Sequence, residues 1–322
     1  MKTKMFFLVL MFFGVSLMLY AGGQRGDRPW PSRPIQVVVA ANPGGDSDFN
    51  ARAYARRLQP ILGQPVVVQN IAGAGMALGS RHVRNAAPDG YTVLLHHVSL
   101  MVNYAVGAND FGIEAFEIAA IVGRNGGSLV TVNSRSPWHT LGDLMAASQT
   151  ANPQLTFAAN VGASTFVMAT NFNRAGGNFN LVDLGDASER IGQLMGGHVD
   201  VIPNAIGTIL PFLESGDFRA LAIIDTERNP FASHIPTGIE LGFPGTAVPI
   251  YYFMAFPGGT PREIVERFTD ALEQVFQMQD YRDEIRDAFM QRPVFVRGEA
   301  ARQQLAAQQA EILAIREDLL VR

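Results

Sequence analysis

The sequence predicts an α/β chain built as two units, on three observations. Apolar runs of strand length alternate with stretches of helical spacing, and the alternation starts afresh midway along the chain. With 322 residues the chain has room for two domains of ordinary size. Hydrophobic residues make up 48% and charged residues 17%, a balance that supports a substantial core and argues against disorder.

The elements follow in order. Lys2 and Lys4 precede the apolar run MFFLVLMFFGVSLMLY, which ends at Ala21-Gly22-Gly23. A basic start, an apolar middle and small residues spell a secretory signal over residues 1–21, cut after Ala21, although Leu19 is larger than the usual small residue two positions earlier. The run falls short of the ~20 residues of a membrane span. GGQRGDRPWPSRP then reads as an extended leader. Ile35 to Ala41 is a buried strand, and the loop NPGGDSD carries it into a helix from about Phe49. Phe49, Ala53, Leu58 and Ile61 share one face of that helix, arginines cover the other, and Pro60 and Gly63 end it. VVVQN is a second strand, IAGAGMALGS opens a helical stretch through Ala86, and YTVLLHH is a third strand after the turn Pro88-Asp89-Gly90. Short connections of this kind call for right-handed crossovers and a parallel sheet covered on both faces.

The second unit repeats the scheme. SLVTVN is a strand, and Thr140 with Asp143 forms a capping-box-like helix start. LTFAAN is a strand, the turn VGAST follows, and a helix comes after it. FNLVDL, DASERIGQLMGG, HVDVIPN, TILPFLESG and FRALAIID alternate strand, helix, strand, helix, strand. The end changes texture: PIYYFMAFP is a strand, Thr260-Pro-Arg-Glu263 starts a helix with glutamate placed to cap it, PVFVRG is a short strand, and a long helix runs from about Glu299.

Two loops carry the chemistry. Asn42 to Asp48 lies at the carboxyl end of the first strand and the start of a helix, where open α/β sheets hold ligands. Helix N-termini offer free N–H groups and the positive end of the dipole. Gly44 and Gly45 let a ligand approach the main chain, and Ser47 adds a hydroxyl. Asp46 and Asp48 fit a helix cap, Asp48 especially; alternatively Asp46 faces an ammonium or hydroxyl group of the ligand. The turn Val161 to Thr165 repeats the design in the second unit, with Gly162, Ala163, Ser164 and Thr165. The pair suits one small anion held from both sides of a cleft.

Other chemistry is thin. There is no cysteine, which excludes thiol nucleophiles, thiolate metal sites and disulfides. GAGMALG follows the second strand and is similar to a dinucleotide fingerprint, but with the spacing G-x-G-x-x-x-G and as a lone glycine motif it is a weak sign of one. His96 and His97, adjacent in a strand, point to opposite faces and read as core-edge and surface imidazoles rather than a metal pair. Gly162 to Phe166 lacks the second glycine of a nucleophile elbow. Nothing marks a catalytic residue, a metal site or a cofactor. The net charge of −4 and the lack of a basic patch interleaved with aromatics exclude nucleic acid as a partner.

PSRPIQVVV, PGGDSD, LGQPVVVQNIAGAG, AAPDGYTVLL, FAANVGAST, LMGGHVDV, GDFRALAI and FPGGTPREIVERF, in this order, resemble the substrate-binding proteins of tripartite tricarboxylate transporters, the TctC or Bug family, from about Pro31 to Leu319. The resemblance implies a two-lobed periplasmic binding protein fold, type II-like, each lobe a mostly parallel sheet flanked by helices. Lobe 1 would be residues 31–127 plus 252–322 and lobe 2 residues 128–251. It implies a receptor, not an enzyme, that closes on a small carboxylate and delivers it to integral membrane permease subunits. It adds Val98, Ser99, Asn160, Asp186 and Asn204 to the ligand-binding set. The protein is then periplasmic, or membrane-tethered if the signal stays uncut. A sensor that docks to a chemoreceptor or histidine kinase, and an exported α/β enzyme, are the alternatives. Where this chain has Asp46 and Ser47 the family usually has glycine and threonine, and a tyrosine-lysine-glycine stretch is common where Leu184, Gly185 and Asp186 stand. The site thus gains acids and loses a cation, which favours a monocarboxylate with an amine or hydroxyls over a tricarboxylate.

Overall fold

The computed structural model describes residues 29–320, so the expected signal peptide, residues 1–21, lies outside the described residues. β1 (Ile35–Val39) is apolar at four of five positions and buried. It feeds α1 (Asp46–Leu62), which begins three residues earlier than helical spacing alone suggests, runs through Pro60 and ends where Gly63 adopts a left-handed φ of 68°. β2 (Val66–Asn70), α2 (Ala77–Arg84), β3 (Thr92–His96) and α3 (Ser99–Ala105) complete the first winding. β4 (Phe116–Arg124) is a nine-residue strand.

The second unit holds β5 (Ser128–Asn133), α4 (Leu141–Thr150), β6 (Thr156–Ala159), α5 (Ser164–Arg174), β7 (Asn180–Asp183), α6 (Ala187–Met195), β8 (Ile202–Ala205), α7 (Ile206–Glu214) and β9 (Phe218–Ile224). At α4 the expected capping box is present: Thr140 Oγ1 accepts from the Asp143 amide, and the Asp143 carboxylate accepts from the Thr140 amide. The chain then returns through β10 (Tyr251–Pro257), α8 (Arg262–Gln277), α9 (Gln279–Phe289), β11 (Val296–Arg297), α10 (Gly298–Ala314) and α11 (Arg316–Leu320). Neither Thr260 nor Glu263 caps α8; the Thr260 hydroxyl instead donates to the Pro257 carbonyl at 2.8 Å.

The strands form a six-stranded sheet in the order β11-β4-β10-β3-β1-β2, a three-stranded sheet β8-β5-β9 and a two-stranded sheet β6-β7. Only the six-stranded sheet is mixed, where the expectation was mostly parallel sheets; the three-stranded sheet is antiparallel and the two-stranded sheet parallel. β1 runs parallel to β2 and β3, and β6 to β7, whereas β10 is antiparallel to both β3 and β4, and β5 to both β8 and β9. Connectivity explains the mixture: the chain leaves the large sheet on β4 and comes back on β10, so these neighbours must run in opposite senses. They pair from Phe116–Pro257 to Arg124–Tyr251.

At the end of that ribbon sits an ion-pair network. Asp225, 2% exposed, accepts from Arg124 at 2.5 Å and from Arg292 at 2.6 Å, and Glu227 accepts from the same two guanidinium groups at 2.8 and 2.6 Å. Arg124 and Arg292 also exchange main-chain hydrogen bonds at 3.1 and 2.9 Å. The network ties the segment after β9 to the large sheet, at the place where the chain passes between the two units.

Candidate functional site

The loop between β1 and α1 is organised by its own acids. Gly45 is the N-cap of α1 and offers no side chain. Asp48, in the first turn, reaches back to the Gly44 amide at 3.0 Å and also accepts from Arg52 Nε at 3.0 Å and Asn70 Nδ2 at 2.9 Å. Burial pushes its carboxyl pKa up, but these hydrogen bonds outweigh it and hold the group below the ordinary value. Asp48 therefore belongs to the scaffold of the loop. Asp46 does not cap the helix either. One of its oxygens accepts from the Ser47 amide at 2.9 Å; the other accepts from Asn125 Nδ2 at 2.7 Å and from the buried Tyr252 hydroxyl. It is fixed to the chain just after β4 and to the start of β10. Ser47 is buried, and its hydroxyl has no hydrogen-bond partner among the described residues.

The turn between β6 and α5 also spends most of its donors within the protein. The Asn160 amide donates to Thr165 Oγ1 at 2.9 Å, the Val161 amide to Asp183 at 2.9 Å, and the Ala163 amide to the Asn160 carbonyl at 3.0 Å. Asn160 Nδ2 donates to the Gly185 carbonyl. Ala163 is the N-cap of α5 and Val98 that of α3; Val98 itself is fully buried apolar packing.

Loops from the two units meet directly. The Ser164 amide donates to Ser99 Oγ at 2.9 Å. Asn103 Nδ2 lies 2.7 Å from the Gly75 carbonyl, 2.6 Å from that of Ser99 and 3.0 Å from that of Gly162, so it clasps α3, the glycine loop before α2 and the turn of the second unit together. Asn42 Nδ2 donates to Asp186 at 3.3 Å. Gly75, at φ 58°, packs so closely that a Cβ there would fall 2.7 Å from the Val161 carbonyl oxygen. The GAGMALG motif thus finds a use: its second glycine permits this close approach.

His96 and His97 depart from expectation. Both are buried, at 1% and 5% exposure, because β3 ends at His96 and the chain turns there. Their ring centroids lie 5.5 Å apart; His96 stacks on Phe253 and His97 meets Tyr252 edge-on. Burial pushes the His96 pKa down to about 3 and that of His97 to about 4, so both are neutral.

Asp186 and Asn204 are brought to the same wall of the second unit, with a residue that sequence reasoning missed. Asp186 is the N-cap of α6, accepting from the Glu189 amide at 2.8 Å. Asn204 Oδ1 accepts from Arg190 Nε at 2.7 Å. Arg190 Nη1 donates to the carbonyls of Leu184 and Gly185, each at 3.2 Å. The region therefore does hold a cation: the guanidinium of Arg190 reaches the carbonyl of Gly185. Arg190 is only 6% exposed and forms no ion pair among the described residues. Burial lowers its pKa to about 10, against the opposing pull of Asp186, Glu189 and Asp46, so it stays charged at neutral pH. One signal in the sequence pointed to it: Arg190 stands one turn before Leu194, on the buried stripe of α6, where a charged residue is out of place.

Comparison with known proteins places this geometry. The sequence model of the family described as tripartite tricarboxylate transporter family receptor, TctC, matches residues 50–315. BugT of Bordetella pertussis is 32% identical over 256 residues, which cover 77% of this chain and 78% of that protein. The solved periplasmic binding protein BugD superposes with a TM-score of 0.81 at 25% identity, over 90% of this chain and 98% of that one. MatC from Rhodopseudomonas palustris, solved with bound malate, gives a TM-score of 0.78 at 25% identity, over 91% of this chain and 100% of that one.

Proposed function

The chain belongs to the tripartite tricarboxylate transporter receptor family, and from that premise we propose that it captures a small carboxylate between two lobes, residues 31–127 plus 252–322 and residues 128–251. One observation carries this reading: the loop after β3 and the turn after β6, each a strand-to-helix connection, face each other and bond through Ser99 and Ser164. Asn42 and Asp186 join the same two sides. Gly44 and Gly45 leave the first loop open, with nothing within 4 Å of a Cβ at either. The buried, unpartnered Ser47 hydroxyl is a donor awaiting an acceptor. Asp46, Asp48, Val98, Ala163, Thr165 and Asn204 serve this site by holding its loops, and Asn160 and Gly162 shape the turn. The lobes close on the ligand, and the closed form is favoured by contacts made only there. The partner is the pair of integral membrane permease subunits of such a transporter, and the protein reaches the periplasm through the signal at residues 1–21. Among the described residues no helix is long and apolar enough to cross a membrane.

The malate held by MatC makes C4 acids the first ligands to try. Titration calorimetry against a panel of mono-, di- and tricarboxylates should find at least one binder in the micromolar range or tighter. Native mass spectrometry of the exported protein should reveal the signal cut and any retained acid. A panel with no binder, together with turnover of a nucleotide or sugar substrate, would replace the receptor by an enzyme.

A further inference from the structure

We propose that His97 touches the ligand: its Nε2–H donates to a carboxylate oxygen of the bound acid, while its Nδ1 positions Ser99. This rests on the receptor reading above and adds to that same site a binding residue that sequence reasoning had placed among core-edge and surface imidazoles.

Place and hydrogen-bond inventory carry the assignment. β3 lies between β1 and β10 in the large sheet, and Phe253 of β10 pairs with His96, the last residue of β3. His97, the next residue, stands at the carboxyl end of β3, beside the loop that follows β1, and such strand ends hold ligands in α/β sheets. Its ring meets that of Tyr252 edge-on with centroids 6.1 Å apart, and the Tyr252 hydroxyl donates to Asp46 of the first loop. Its Nδ1 accepts from the Ser99 amide at 3.3 Å, and Ser99 Oγ in turn accepts from the Ser164 amide of the second unit at 2.9 Å. His97 thus links the first loop to the contact that joins the two units.

A neutral imidazole has one N–H and one bare nitrogen. Because Nδ1 accepts, the proton sits on Nε2, and Nε2 has no hydrogen-bond partner among the described residues. The oxygens of Asp46 do not serve it: they accept from the Ser47 amide at 2.9 Å, from Asn125 at 2.7 Å and from Tyr252. A buried N–H without an acceptor is costly. The neighbouring His96 differs, since its Nε2 is completely buried and no ligand reaches it, whereas His97 keeps 5% exposure. The Ser47 hydroxyl, on the loop after β1, is a second donor without an acceptor. Two neutral donors on adjacent loops suit the two oxygens of one carboxylate. A purely structural role accounts for less: holding the Ser99 amide needs only an acceptor, which an asparagine side chain also supplies, and makes no use of the second ring nitrogen.

An asparagine amide overlays Nδ1 of a histidine and a glutamine amide overlays Nε2, so two variants separate the two roles. Calorimetry on the mature protein uses malate, succinate, butyrate and citrate as probes. His97→Asn keeps an acceptor for the Ser99 amide and should weaken the tightest of these acids about ten- to a hundredfold, the range expected when a hydrogen bond to a charged group is lost. His97→Gln restores a donor at Nε2 and should recover at least about fivefold of that loss. Nuclear magnetic resonance of wild-type protein carrying isotope-labelled histidine gives a readout that needs no variant: the Nε2 proton of His97, identified by its cross-peaks to the Tyr252 ring, should move downfield when the tightest acid is added. Undiminished binding by folded His97→Asn, weaker binding by His97→Gln than by His97→Asn, or an Nε2 proton that stays put at saturation shows that the ring only holds Ser99, and overturns the assignment while leaving the receptor reading intact. Failure of the wild-type protein to bind any of these acids overturns the receptor reading and this inference with it.

Discussion

Replacing Gly75 by alanine should weaken ligand binding by holding the two lobes apart. At Gly75 a Cβ would lie 2.7 Å from the Val161 carbonyl oxygen and 3.0 Å from the Gly162 carbonyl carbon, both main-chain atoms that cannot swing aside. Relieving those overlaps moves the facing turn by about half an ångström or more, judged against ordinary van der Waals contact. Two inter-lobe hydrogen bonds depend on that spacing: Asn103 to the Gly162 carbonyl at 3.0 Å and the Ser164 amide to Ser99 at 2.9 Å. At roughly 0.5–1.5 kcal/mol each, their loss takes about 1–3 kcal/mol from the closed state, or about a 5- to 150-fold rise in Kd. Alanine at φ 58° also costs roughly 1–2 kcal/mol, but in open and closed forms alike, so that part appears in the melting temperature and not in affinity. Gly107→Ala separates the two effects, since Gly107 has φ 75° and open space around it. Calorimetry with the tightest acid of the panel, and small-angle scattering of the free protein, should show weaker binding and a larger radius of gyration for Gly75→Ala but not for Gly107→Ala. If Gly75→Ala binds as tightly as wild type and scatters identically, the lobes do not meet at this point when ligand is bound, and the closure argument fails.

Two further outcomes follow from the charge chemistry. His96 and His97 are neutral in the fold, with pKa values of about 3 and about 4, and near 6.5 once unfolded. The unfolded chain therefore binds more protons, so stability is complete above pH 6.5 and is lost as pH falls through it, by roughly 2 kcal/mol per histidine between pH 7.5 and 5. Urea unfolding across that window should show the loss, and His97→Gln should reduce its slope; a flat profile rejects the neutral buried pair. At the network beside β4, Asp225→Asn should destabilise by about 3 kcal/mol or more, because it removes the one buried carboxylate and leaves two largely buried guanidinium groups with only the exposed Glu227. Glu227→Gln should cost about 1 kcal/mol or less, since Glu227 is 61% exposed. Equal melting temperatures for the two variants would show that burial does not rank these pairs.

Much of this was legible in the sequence where the signal is local. The β1 run, the glycine loop behind it, the Thr140–Asp143 box and the VGAST turn are each set by a few adjacent residues, and each stands where spacing placed it. β4 and α3 gave no such signal. FEIAAIVGR is buried at eight of its nine positions, and the continuous apolar stretch IAAIV at its centre does not tell strand from buried helix. SLMVNYA is less than two turns long with six of seven residues buried, so it has no polar face to show a period. The mixed sheet was hidden for another reason: the direction of β10 depends on the chain having left on β4, more than a hundred residues earlier. The histidine pair and the fate of Asp46 were equally non-local, since Phe253, Tyr252 and Asn125 decide them. Arg190 was half visible, as a charge on an apolar stripe; that its hydrogen bonds go to Asn204 and to the carbonyls of Leu184 and Gly185 appears only in three dimensions.

The contacts across the cleft divide into two sets, and the division says where affinity and specificity reside. Ser99 with Ser164, Asn103 with Gly162, and Asn42 with Asp186 join the lobes without reference to any ligand. They set how far the closed form lies above or below the open one, and a change in that equilibrium multiplies the affinity for every ligand by the same factor. The Ser47 hydroxyl is left without a hydrogen-bond partner among the described residues after the lobes have met, and we propose that a ligand supplies one. A change there alters one ligand relative to another. Substitutions of the first kind, such as Gly75→Ala, should therefore shift all acids together. A Gly75→Ala protein that reordered the acids would show that the closing contacts and the recognising contacts are not separate, and that the ligand itself bridges Gly75 and the turn.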